Sequence, residues 1–162
     1  MANYVPDGIS KIDRSQFVTF LDVSTTSTPT WKPLGVGVTE YGIAYNPQVD
    51  TEKWIIEDSA RNDHTSNQKQ GSVTQKCYKG DPVFEFINAG RDVLNYKSKV
   101  LDVDRWNGTG DEYPAKVNDV IIAVENYMGE NAEIEYTIYY DGDPQEVMVT
   151  FSGNEPTIVT SL

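Results

Sequence analysis

Alternation of apolar and polar positions, more than helical periodicity, runs through this chain. Phe17-Val-Thr-Phe-Leu-Asp22 reads as a first strand, and Ser24-Thr-Thr-Ser-Thr-Pro29 as a loop by composition. From about Tyr41 to Asp58 the chain reads as extended, with Ile43, Tyr45, Val49 and Ile55 set among smaller or polar neighbours. Pro47 argues against an uninterrupted central strand there, because proline cannot donate to a ladder. Ser59 to Ser72 holds almost nothing apolar. A polar loop of that length is usually functional or flexible. With little to bury on its own domain, it is expected to be disordered in the free chain. Val73-Thr-Gln-Lys-Cys-Tyr78 then reads as a short strand, so the loop is predicted to join two neighbouring strands.

One helix is predicted. Asp81 suits an N-cap and Pro82 the first helical position, where its missing N–H costs nothing. Val83, Phe86, Ile87 and Leu94 recur at helical spacing as one apolar stripe for a sheet, Gly90 weakens the helix, and its end is expected near Tyr96. Strands are predicted from Val100 to Trp106 and, buried, from Val117 to Met128. Ala132 to Tyr140 and Val147 to Phe151 flank Asp141-Gly-Asp-Pro144, which spells a hairpin turn. The sum is one helix and about six or seven strands, an α+β domain of mainly antiparallel sheet spanning 1–162, with terminal arms at about 1–16 and 153–162.

Composition narrows the function. Thirteen basic against 25 acidic residues give a formal charge of −12. A surface built to grip nucleic acid needs the opposite balance. The single Cys77 excludes an intramolecular disulfide and fits a reducing cytosol. The N-terminus lacks the pattern of a secretory signal, and no apolar run approaches the length of a bilayer span.

The chemistry-bearing residues are sparse. His64 is the only histidine and Cys77 the only cysteine, and their spacing suggests no nucleophilic pair. Structural zinc, which wants four Cys or His ligands, is excluded on that count. Asp102-Val-Asp-Arg-Trp-Asn-Gly-Thr-Gly-Asp-Glu112 approximates a calcium loop, but its glycine comes one residue late and Tyr113 stands where the bidentate Glu belongs. Gly35-Val-Gly37 lacks the context of a nucleotide site, and Asn107-Gly-Thr109 is a glycosylation sequon by spelling only. No catalytic residue, cofactor or metal site is expected, and the chain reads as a non-enzyme. Trp31, Trp54 and Trp106 leave one alternative open, a monomeric β-sandwich module binding carbohydrate or another ligand. A hydrolase built on Cys77 is a weaker one. From Ala132 to Tyr140 the faces separate: Glu133, Glu135, Thr137 and Tyr139 on one, Ile134, Tyr136, Ile138 and Tyr140 on the other. Two glutamates on one sheet face mean outer solvent or a water-filled lumen.

Three blocks carry a resemblance: Trp31-Lys-Pro-Leu-Gly-Val-Gly-Val-Thr, Tyr45-Asn-Pro-Gln-Val-Asp-Thr-Glu-Lys-Trp54 and Tyr78-Lys-Gly-Asp-Pro-Val-Phe-Glu-Phe-Ile87. In this order, with a polar loop between the second and third, the chain resembles the major tail tube proteins of siphophage-type bacteriophages of Gram-positive hosts, over roughly residues 17 to 150. The resemblance implies a β-sandwich or incomplete barrel with one flanking helix. It implies hexameric rings stacked into a hollow tube, the conduit for DNA into the host. It also implies a virion tail location after synthesis in the host cytoplasm. The implied partners are further copies, tail terminator, tail tip or baseplate proteins and a tape measure protein in the lumen, while DNA passes without specific binding. Family members reach the neighbouring ring with a long early loop, and Ser59 to Ser72 occupies its place. Arg61, Asp63, His64, Asn67 and Lys69 are the candidate inter-ring residues, and Asp50, Glu52, Glu133 and Glu135 the candidate lumen-facing acids.

Overall fold

β-Branched and aromatic residues favour pleated strands, and strands make up most of the computed structural model, which describes residues 8–161. β1 (Phe17–Asp22), β2 (Trp31–Pro33) and β3 (Val38–Ala44) come first. β4 (Pro47–Glu52), β5 (Arg61–Asn67) and β6 (Gln70–Lys76) follow, then the helix α1 (Pro82–Ala89). β7 (Tyr96–Asp104), β8 (Tyr113–Tyr127), β9 (Glu133–Ser152) and β10 (Glu155–Ser161) complete the chain. Eight strands form one antiparallel sheet in the order β2-β1-β7-β8-β9-β6-β3, with β10 also on β9. β4 and β5 pair only with each other. The large sheet curls as a half-barrel far enough for β10 to contact β2. This is the mainly antiparallel, incomplete-barrel architecture expected from the sequence.

Successive strand residues point to opposite faces, and here both faces are buried in turn. Leu21, Val100, Val120, Ile122, Ile134, Tyr136 and Ile138 join one core with Val83, Phe84 and Ile87 of α1. Their sequence neighbours Phe20 and Leu101 join Val103, Ala115, Val147 and Val149 in a second core that no helix covers.

α1 is shorter than its periodicity suggests. It stops at Gly90, a position where only glycine fits, because a Cβ there would stand 2.2–2.4 Å from the Tyr96 ring. Without one, Tyr96 packs on Phe86 at 5.0 Å between ring centroids and donates its hydroxyl to the Phe86 carbonyl at 3.0 Å. Leu94 therefore lies outside the helix and is 90% exposed, and Phe86 is half-buried while Phe84 takes the core position. Asp81 does occupy the N-cap position, its carboxylate accepting from Gln75 Nε2 at 2.7 Å.

Asp141-Gly-Asp-Pro144 is not a hairpin. β9 runs unbroken through it for 20 residues because the 15-residue β8 pairs with both halves. Val117 and Asp119 of β8 face Gln145 and Asp141, so the extra residues of β9 are absorbed as a bulge, with Gly142 at a φ of 78°. The turn comes later, at Gly153, and 155–161 forms a paired strand instead of a free C-terminal arm. Of the expected N-terminal arm, residues 1–7 lie outside the described residues and Arg14–Gln16 forms a 3-10 turn.

The segment from Ser59 to Ser72 is not a loop either: it holds β5 and the start of β6. Its polarity reflects a ribbon exposed on both faces, and a ladder needs backbone groups, not apolar side chains. The cause of its departure from the sheet lies in β9. β6 pairs with the outer edge of β9 from Glu133 to Tyr139, and β10 takes the same edge from Val147 to Ser152. The β3–β6 hairpin cannot continue along an occupied edge, so it leaves as the β4–β5 arm. Asn46, with a positive φ of 44°, turns the chain at the joint, where Gln68 N–H donates to the Asn46 carbonyl at 3.3 Å.

Candidate assembly surface

The arm gathers most of the sequence-predicted site residues. On β5, Arg61 faces Glu52 of β4, Asp63 faces Asp50, and His64 faces Val49. Asn67 faces Pro47, and its Oδ1 lies 2.7 Å from His64 Nε2. Arg61 orders the tip. Its guanidinium pairs with Glu57, holding that carboxyl below its ordinary value, and stacks 4.3 Å from the Trp54 ring centre. Trp54 Nε1 donates to Glu52 Oε1 at 2.8 Å. Beyond that clamp Ile55 and Ile56 stand 102% and 85% exposed. Lys69 sits apart at the arm's root, its ammonium 5.5 Å from the Tyr45 ring centre and 4.9 Å from that of Tyr140.

Glu133 and Glu135 are not near Asp50 and Glu52. They lie on β9 in the large sheet, opposite Lys76 and Thr74 of β6, and both are half-buried. With Ser72 and Tyr139 they share a polar sheet face away from α1.

Beneath the arm's root is a polar network that the sequence reading missed. The buried Asp102 carboxylate accepts from Thr19 Oγ1 at 2.7 Å and from the Tyr140 hydroxyl at 3.0 Å. The Tyr140 hydroxyl lies 2.8 Å from that of Tyr41. Burial pushes the Asp102 carboxyl up, against these donors and the Lys69 charge. It also pushes the Tyr41, Tyr136 and Tyr140 hydroxyls far above their ordinary value. The available signal was an aspartate inside the apolar run Val100-Leu-Asp-Val103, within a segment already expected to be a strand.

This arrangement supplies little for catalysis. Cys77 packs against the first core and donates its backbone N–H to the Ala132 carbonyl at 3.0 Å. Burial, and then Glu133, push its thiol up, away from the thiolate a nucleophile needs. His64 lies on the arm, in a different sheet from the strand preceding Cys77. The tryptophans occupy β2, the arm tip and a 3-10 turn at Arg105–Asn107, and among the described residues no two of their rings pair.

No family model matches the chain, and no curated protein sequence does. A solved structure of the SPP1 tail tube superposes on it with a TM-score of 0.63, over 87% of this chain and 80% of that one, at 15% identity. The chain has a tail tube fold. On this tail tube fold the surfaces open to another molecule are backbone edges and uncovered side chains. Among the described residues β3 and β10 each have one side without a strand partner. Such an edge is a template for another chain. The arm tip adds an apolar doublet with nothing of its own chain over it.

Proposed function

We propose that this chain is a tail tube subunit, assembling as hexameric rings that stack into a hollow conduit for DNA in a virion tail. The observation that carries this reading is the likeness to the SPP1 tail tube across 87% of the chain. Physical features of the subunit support it. Free edges and a projecting arm are different surfaces, so contacts between copies are heterologous, and a heterologous contact closes as a ring or propagates as a filament. The arm, with Arg61, Asp63, His64 and Asn67, reaches the neighbouring ring. Tail terminator, tail tip and tape measure proteins are its partners at the ends and in the lumen.

The lumen wall in this reading is the polar face bearing Glu133 and Glu135. A ring of six carries six times −12, or −72, and a wet lumen screens acidic side chains better than a dry interface does. A basic wall would bind phosphates by releasing their counterions, whereas an acidic one leaves no deep well along the path. Lys76 opposite Glu133 moderates the field locally. Asp50 and Glu52, on the arm, add acid only where a stacked arm meets the channel.

Electron microscopy of the concentrated protein tests the assembly: rings or tubes are expected, and a persistent monomer refutes it. Removing the arm between Pro47 and Asn67 is expected to leave a folded domain that does not form tubes. Glu133→Lys with Glu135→Lys is expected to leave tubes intact and slow DNA delivery in a reconstituted particle; normal delivery removes the lumen assignment.

A further inference from the structure

Asn107-Gly108 is the only asparagine–glycine pair in the chain, and it lies on neither the arm nor the strand that bears Glu133 and Glu135. It ends the 3-10 turn Arg105–Asn107, which carries the chain from β7 to β8. Asn107, Gly108 and Thr109 are all exposed. The turn is weakly held. Asp104 gives it no side-chain cap. At the end of the other 3-10 turn the Phe17 N–H donates to the Arg14 carbonyl, whereas the Gly108 N–H makes no such capping bond. Among the described residues nothing hydrogen-bonds the Asn107 side-chain amide. Short 3-10 pieces have poor hydrogen-bond geometry even when capped.

Asparagine is a thermally labile residue, because its amide carbon lies where the next backbone nitrogen can close a five-membered ring on it. A side chain on that next residue crowds the closure, and glycine has none. Here packing fixes the glycine: a Cβ at 108 would stand 2.5–2.6 Å from the Tyr113 ring. Tyr113 in turn packs on Phe151, 5.6 Å between ring centroids, at the rim of the second core. The fold therefore demands the residue that leaves Asn107 open to attack. Other sites lack one of these conditions. Asn131 precedes alanine, Asn154 precedes glutamate, and Asn118 is buried. Asp141-Gly142 can close the same ring by losing water, but Asp141 is held in the β8–β9 ladder opposite Asp119.

We propose that Asn107 is a self-modification site, where the folded chain converts asparagine to aspartate and isoaspartate without an enzyme. The Gly108 nitrogen attacks Asn107 Cγ, the bond from Cγ to Nδ2 breaks, and ammonia leaves with the Gly108 N–H proton. One water then opens the cyclic imide at either carbonyl, giving aspartate or isoaspartate. Each conversion adds one negative charge to the formal −12, giving −13. The new carboxylate arises close in sequence to Arg105, whose guanidinium lies 4.7 Å from the centre of the Phe151 ring and 5.6 Å from that of Tyr113. Among the described residues no carboxylate is within ion-pair distance of Arg105, so the product supplies it with a counter-charge. Isoaspartate also lengthens the backbone by one methylene between β7 and β8. The rim of the second core thus records the age of the subunit, whether or not the chain polymerises.

Ageing the purified full chain in warm, mildly alkaline buffer tests this. Trypsin cuts after Arg105 and Lys116 and releases Trp106–Lys116, in which Asn107 is the only asparagine. Two new forms of that peptide are expected, both heavier by the exchange of an amide NH2 for OH, and separable from each other by reversed-phase chromatography. On native isoelectric focusing the intact chain is expected to gain a band one charge more acidic, and Asn107→Gln to gain none. Asn131 and Asn154 are expected to lag behind in the same digests. A parallel sample unfolded in guanidinium chloride gives the rate of the unrestrained sequence. Conversion in guanidinium but not in the folded chain overturns the proposal, because the turn then protects the pair. Conversion led by Asn131 or Asn154, or an acidic band that persists in Asn107→Gln, overturns it as well.

Discussion

The face that α1 presents to the sheet gives a sharp energetic test, because three apolar residues close together in sequence sit in three different environments. Phe84 is in the first core, Phe86 is half-buried against Tyr96, and Leu94 lies beyond the helix in solvent. Phe84→Ala removes a ring packed among Val83, Ile87 and the sheet and leaves a cavity, an effect of about 3–5 kcal/mol. Phe86→Ala loses part of a ring's burial and one tilted aromatic pair, about 1–3 kcal/mol in sum. Leu94→Ala changes almost nothing in the isolated subunit, within roughly 0.5 kcal/mol. In a chain of 162 residues each kcal/mol moves Tm by about 2–4 °C, so the three variants separate cleanly. Urea unfolding at concentrations below polymerisation is the assay, with the m-value checked for constancy. Equal losses for Phe86→Ala and Phe84→Ala would mean that the helix presents a different face. A loss above about 1 kcal/mol for Leu94→Ala would put that residue inside a core instead of in solvent.

Three further outcomes follow from the same structure. Gly90→Ala is expected to cost about 1–3 kcal/mol, since its Cβ meets the Tyr96 ring; a neutral or stabilising effect in urea would show that Tyr96 moves freely. For Asp102 the folded carboxyl lies above its unfolded value of about 3.9. The folded state then holds more protons between those two values, and its stability falls as pH rises through that window. Asp102→Asn is expected to remove this component, so that the stability difference between variant and wild type grows from pH 4 upward; parallel curves refute it. Removing the arm between Pro47 and Asn67 is expected to leave the unfolding free energy of the remaining domain, measured in urea, within about 0.5 kcal/mol of wild type, because neither strand contributes to either core.

How much was legible depended on whether the sequence signal was local. β1 falls on Phe17–Asp22 and α1 starts at Pro82, where capping and alternation are written in consecutive residues. The failures involve distant partners. Asp141-Gly-Asp-Pro144 has turn composition, and only the unbroken β8 opposite reveals a bulge. Leu94 keeps helical spacing with Ile87, but the helix is capped at Gly90, on which the distant Tyr96 ring packs. The polar stretch from Ser59 lacks burial, which is not the same as lacking a partner, since β4 supplies one. Of the candidate site residues, Arg61, Asp63, His64 and Asn67 share β5, while Glu133 and Glu135 belong elsewhere, a separation that no spacing argument encodes.

The outer edge of β9, shared between β6 and β10, also separates two kinds of selection. Because β10 holds that edge, the arm is thermodynamically detached from the body, and changes in its tip leave the domain's folding free energy nearly untouched. Substitutions in the arm can therefore accumulate while the barrel stays fixed, because the residues that hold the barrel together and the residues that line the arm are different sets.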